Sequence, residues 1–197
     1  MIIIKNKDMK KIFLVAAAAI IALSASAQNL KFAHVNFTEL VQLMPDADAA
    51  RAQMNAQSQE FEETYQTMIE EFQTKYSQYQ QKASTWTAAI KESKERELND
   101  IQNRIQEFQS TASMELQESQ NALMAPIQQK ALDTVNKLAK EGGYVYVFEM
   151  SQMLYIDAAQ STDLTPAARK ALGIKDGRTL ESLQEELAAA AAAAQQQ

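Results

Sequence analysis

The chain contains no cysteine, three prolines, four glycines, one histidine and one tryptophan in 197 residues. Without cysteine there is no disulfide framework and no thiolate metal site, so stability has to come from packing alone. Basic charge is also scarce. The formal net charge is −6, and with the four lysines and Asp8 of the first 27 residues set aside, fifteen basic and twenty-four acidic side chains remain, a net of −9. Nucleic acid is a poor partner for such a surface, because phosphate binding rests on Lys and Arg neutralising the backbone. Contact with an anionic membrane surface is disfavoured on the same ground. The sequence has no Gly-rich phosphate loop, no cysteine nucleophile and no G-x-S-x-G elbow, which argues against an enzyme and against a cofactor.

At the N-terminus, Lys5, Lys7, Lys10 and Lys11 precede an apolar run from Ile12 to Leu23 that ends in Ser24-Ala25-Ser26-Ala27. A bilayer span needs about 20 apolar residues and this run is shorter. Ala25 and Ala27 fit the A-x-A cleavage rule, so residues 1–27 read as a signal peptide cut after Ala27, and the protein as exported. Met9-Lys10-Lys11 is by itself an ordinary signal-peptide beginning, so translation from Met1 and from Met9 both fit.

Lys31 to Phe37 reads as a short strand, and Thr38-Glu39 opens a turn or two of helix that Pro45 interrupts. Asp46 and Asp48 then stand where acidic residues complement the positive end of a helix dipole. From there to about Ser84 neither Gly nor Pro occurs, and Phe61, Tyr65, Met68, Phe72, Tyr76, Tyr79, Ala83 and Trp86 recur in steps of three and four. That is an apolar stripe on one face of a helix. A second stripe follows at Leu98, Ile101, Ile105, Phe108, Ala112, Leu116, Leu123 and Ile127, then Ala131, Val135 and Leu138. A chain reversal within Ser84 to Ile90 lets the stripes zip into an antiparallel coiled coil; one continuous rod is the alternative, since no Gly or Pro marks the turn. Lys137, Lys140 and Gly142-Gly143 supply a helix end. Pro126, inside the second arm, reads as a hinge where the arm joins a body.

Tyr144 to Phe148 and Met153 to Ile156 read as two further strands. Three short strands cannot bury themselves and leave open edges, so self-association is the physical remedy. Phe32, Val35, Val145, Val147, Leu154 and Ile156 are the expected strand and interface residues. Thr165, Pro166 and Gly173 frame a last short helix with Thr165 as its N-cap. The expected fold is mainly α with a small β body: a long antiparallel helical hairpin projects from a short-stranded β oligomerisation domain. Residues 28–45 and 142–174 form the body, 46–141 the arm, and 175–197 an Ala/Gln-rich disordered tail.

This order of elements resembles the Skp/OmpH family of periplasmic chaperones. The resemblance is carried by Phe32-Ala33-His34-Val35-Asn36, Met44-Pro45, Gly143-Tyr144-Val145-Tyr146-Val147, and Tyr155-Ile156-Asp157 followed by Asp163-Leu164-Thr165. It implies a periplasmic homotrimer whose arms enclose a cavity and hold unfolded outer-membrane proteins without ATP. One departure stands out. Residues 46–141 carry ten basic and sixteen acidic side chains, whereas family arms are positively charged, so holding a client rests here on apolar and hydrogen-bonding contacts.

His34, the only histidine, lacks neighbours at metal-ligand spacing and reads as structural; Glu62-Glu63 and Glu70-Glu71 read as solvated helix face, because adjacent helical residues do not face each other. No metal is expected. Phe61, Tyr65, Met68 and Phe72 belong to the seam. Ile69, Met114 and Met124 fall off it and, with Trp86 at the tip, are the candidate client contacts. Many weak contacts along the arms would replace a deep pocket by avidity. The competing reading is a structural coiled-coil adaptor of the envelope with one specific partner.

Overall fold

The computed structural model describes residues 30–194, so the signal peptide expected over residues 1–27 lies outside the described residues. Strand β1 is Lys31–Val35, and Asn36 switches the chain into helix α1, Phe37–Leu43. The switch is local chemistry: the Asn36 side-chain oxygen accepts from the Glu39 N–H at 3.1 Å, and its amide donates to the Glu39 carboxylate at 3.0 Å. That pairing caps the helix. Met44, extended at φ −60 and ψ 142, ends α1 and places Pro45 at the first position of α2, Pro45–Lys82, where its missing N–H costs nothing.

Helix α2 stops at a single 3-10 turn, Ala83–Thr85, and helix α3 runs from Ala88 to Gly142 after Thr87 accepts from the Ile90 N–H at 3.4 Å. The reversal falls within the expected stretch, and the continuous rod is excluded. Cross-helix pairs fix the direction. Phe61 meets Phe108 edge-on at 6.0 Å, Glu71 pairs with Arg104 at 3.1 Å, and Lys75 pairs with Glu97. Numbers rise on α2 as they fall on α3, so the hairpin is antiparallel. With 38 and 55 residues, the helices reach about 57 Å and about 82 Å at 1.5 Å per residue. Helix α3 continues through Pro126, and Ile127 beside it is buried in the body core, so Pro126 sits where arm meets body.

Gly143 closes α3 in the left-handed conformation at φ +69, its N–H donating to the carbonyls of Ala139 and Lys140. At Gly142 a side chain would meet the Tyr144 ring, which would have to move aside. The chain then enters β2, Tyr144–Glu149, a 3-10 turn Met150–Gln152, β3, Ser161–Asp163, and helix α4, Thr165–Ala171. The sheet order is β2-β1-β3 with both pairings parallel. Parallel neighbours need a long crossover, and the whole hairpin is the connection between β1 and β2.

One sheet face points inward: Ala33 and Val35 pack with Val147 against Leu40, Leu43 and Met44, with Ile127, Ala131 and Val135 of α3 and Ala168 and Leu172 of α4 completing the core. Leu40, Leu43 and Met44 are fully buried, each contributing about 1.5–3 kcal/mol from burial.

Three expectations are corrected. Met153 to Ile156 form no strand; the third strand is the polar Ser161–Asp163, and Leu154 and Ile156 lie in the irregular segment before it. Thr165 is not the cap of α4. The Asp163 carboxylate accepts from its N–H at 2.8 Å, while the Thr165 hydroxyl accepts from the Asn36 N–H at 3.0 Å. Residues 175–197 are not a disordered tail throughout, because Leu180–Ala194 form helix α5. Thr179 and Ser182 cap it reciprocally, each N–H donating to the other's hydroxyl at 3.0 and 3.1 Å. Leu183 is buried with the body core.

Candidate functional site

The hairpin holds itself together loosely. Ile101, Ile105 and Ala112 are buried in its seam, while Phe61, Tyr65, Met68 and Phe72 on the facing helix are only half-buried. Phe72 stacks on Tyr76 of its own helix at 5.9 Å rather than across the seam. Two helices alone cannot enclose aromatic side chains of this size, and open grooves result. One, of about 340 Å³, is lined by Ala50, Met54, Leu116, Leu123 and Met124 near the body. The next, also about 340 Å³, is lined by Phe61, Tyr65, Phe108, Ala112 and Leu116.

The expected contact residues are scattered along this surface. Met114 is 58% exposed and Ile69 half-buried. Trp86 packs edge-on against Tyr79 at 5.9 Å and so caps the tip. Met124 lines the first groove and also touches the body core. Only Met124 is brought into a groove with other apolar residues; Ile69, Met114 and Trp86 stay apart.

Charge near the tip is paired across the helices. Hydrogen bonds from Lys75 and then Lys94 hold the Glu97 carboxyl down to about 2, and the same Glu97 contact pushes Lys75 up. Tyr79 donates to Glu95, which raises its phenol. These groups are substantially exposed, so solvent and salt screen them.

The second feature is the outer face of the sheet. Phe32, Tyr146 and Phe148 form an aromatic triangle with ring separations of 6.3, 6.4 and 6.1 Å, and Tyr146 is 59% exposed. Beside it Met150, Met153, Leu154 and Tyr155 are exposed, and a hollow of about 210 Å³ opens between Phe32, Phe148, Met153, Tyr155 and Ile156. His34, buried under this face, lies 2.8 Å from the Ser161 hydroxyl through Nδ1. A parallel sheet is ordinarily covered on both faces. Here one is bare.

Of the expected interface residues, Phe32 belongs to the bare face, Val145 is exposed, and Leu154 and Ile156 border it from the loop. Val35 and Val147 are corrected: they point into the core. Tyr146, Phe148, Met153 and Tyr155 were not foreseen there. The signal existed in the alternation of Tyr146, Val147 and Phe148, which sends the two aromatics to one face and Val147 to the other.

Among the described residues no helix is long and apolar enough to cross a membrane, and no three carboxylate or imidazole groups stand close enough to hold a metal. The chain is thus a single two-helix prong on a small parallel sheet, and its sequence is similar to that of known proteins. The chain is 29% identical over 163 residues to the protein named Chaperone protein Skp of Yersinia enterocolitica, covering 80% of this chain and 95% of that protein. A family model described as outer membrane protein (OmpH-like) matches residues 31–172. With well over half of its length matched, the chain belongs to the OmpH-like family.

Proposed function

We propose that this protein is an ATP-independent holdase of the periplasm, which binds unfolded outer-membrane proteins between its helical arms and keeps them from aggregating. The observation that carries the reading is the incompletely closed seam. Half-buried aromatic and methionine side chains along a long prong offer many weak apolar contacts and no enclosed pocket, which suits varied, extended clients. The name of the Yersinia relative points the same way. The bare aromatic sheet face supports assembly into a homotrimer, which would set several prongs around one cavity. The charge balance of the arms keeps lipid surfaces out of this reading, and no catalysis is part of it.

Purified mature protein should suppress aggregation of several urea-denatured β-barrel proteins at near-stoichiometric ratios without nucleotide. Native mass spectrometry should give three times the chain mass, and Tyr146→Asp should shift it to monomer. Failure of suppression across all clients removes the holdase; recovery of one specific partner from periplasm would favour an adaptor instead.

A further inference from the structure

Helix α5 lies beyond residue 172, where the family match ends, and its two halves are held very differently. The first half is anchored. Arg178, just before the helix, donates from both terminal nitrogens to the Asp48 carboxylate at 2.5 and 2.6 Å, Arg169 donates to the Arg178 carbonyl at 2.5 Å, and Leu183 is buried. Beyond Glu186 the anchoring stops. Leu187 is 42% exposed, and a gap of about 530 Å³ separates it and Ala190 from Asn55, Ser58, Gln59 and Glu62 of α2. Leu187, Ala190 and Ala191 thus border an open cleft rather than a packed helix surface.

That gap borders the apolar grooves of the hairpin. Asn55 lines both the gap and the groove of Met54 and Met124, and Ser58 and Glu62 line both the gap and the groove of Phe61 and Tyr65. One row of polar side chains thus stands between the free half of α5 and two apolar surfaces. Residues 187–194 carry no charge, and their alanines keep a helix without tertiary support, so the segment extends as a stiff helix beyond its anchored base.

We propose that residues 187–194 are a lid, closing Leu187 and the alanine face over the apolar grooves at the base of the arms and swinging aside when a client arrives. The regulatory part rests on the holdase reading; the occlusion of the grooves does not. The test compares the full mature chain with a chain ending at Glu186, which keeps Arg178, Leu180 and Leu183, and with Leu187→Glu in the full chain. The probes are the apolar dye ANS and a denatured β-barrel protein.

Both variants should bind more dye than the parent, and client affinity should tighten by about fivefold, the factor for a lid closed about four-fifths of the time. Circular dichroism melting should leave the body transition in place. Unchanged or reduced dye binding in both variants overturns the lid. Increased dye binding with no client bound by any chain keeps the lid and defeats the holdase. Increased dye binding with unchanged client affinity shows the covered grooves are not where clients bind and overturns the regulatory role.

Discussion

Body and arms use the same kinds of side chain and reach opposite results. In the body, Leu40, Leu43, Met44 and Ala131 are excluded from solvent by helices on several sides. In the arms, Phe61 and Tyr65 meet one partner helix, Phe72 stacks within its own, and all three remain half-buried. A residue in the body has neighbours all round, so losing it leaves a cavity; a residue on a two-helix prong has water on one side and room to adjust. The body is therefore a fixed platform. The arms form a surface whose apolar contacts are available for exchange.

The largest expected difference follows directly. Leu40→Ala should cost about 3–5 kcal/mol and lower the midpoint of the whole protein in urea denaturation followed by circular dichroism. Ile101→Ala, buried but in the arm, should cost about 2 kcal/mol, with hydrogen exchange rising in α2 and α3 while the sheet stays protected. Equal loss of protection in body and arm would dissolve the distinction.

Arg178→Ala probes the joint between them, where the guanidinium spans 130 residues to reach Asp48. Leaving the carboxylate without its main partner should cost about 1–2 kcal/mol. Burial pushes the Asp48 carboxyl up, but hydrogen bonds from Arg178 and Arg51, with their charges, outweigh it and leave it below its usual 3.8. A depressed carboxyl contributes stability above its unfolded value and loses it as pH falls through the folded one. The parent should therefore lose stability below about pH 4, and Arg178→Ala should lose less over that range in an acid melting series.

Pro126→Ala restores a backbone donor at the arm's base and should add about 1 kcal/mol, with slower exchange in the turn preceding residue 126. Glu97→Gln is the smallest perturbation, because the Lys75 pair is only half-buried near the tip and solvent screens it. Its effect should be clearest at low salt, as faster exchange near the tip, and shrink at 0.15 M. In the parent the contribution of Glu97 is present above about 4.5 and lost as pH falls toward about 2, so the mutant effect should disappear over that interval.

Much of this was legible in the residues. The two stripes are long, regular and uninterrupted, and Thr87 and Gly143 mark the ends of α3 with ordinary capping chemistry. The hairpin and the sheet's first two strands follow from such local signals. The third strand did not, because Met153 to Ile156 are apolar for the surface they present, while Ser161–Asp163 is a strand for its pairing with β1. Period and hydrophobicity do not reveal a three-residue polar strand. Helix α5 escaped for another reason: its anchors are Arg178 to Asp48 and Leu183 to the core, contacts far apart in sequence that no local pattern encodes. At the site, Met124, expected off the seam, lines a groove, while Val35 and Val147, expected as strand and interface residues, lie in β1 and β2 but face the core, which residue type alone does not decide.

The most direct test is hydrogen exchange of the mature protein with and without a denatured β-barrel client. The account predicts new protection along α2 and α3, strongest from Met54 to Phe72 and from Phe108 to Met124, with the β1 and α1 core unchanged. Protection confined to the loop of Met153 to Tyr155, or absent from both arms at saturating client, would contradict it.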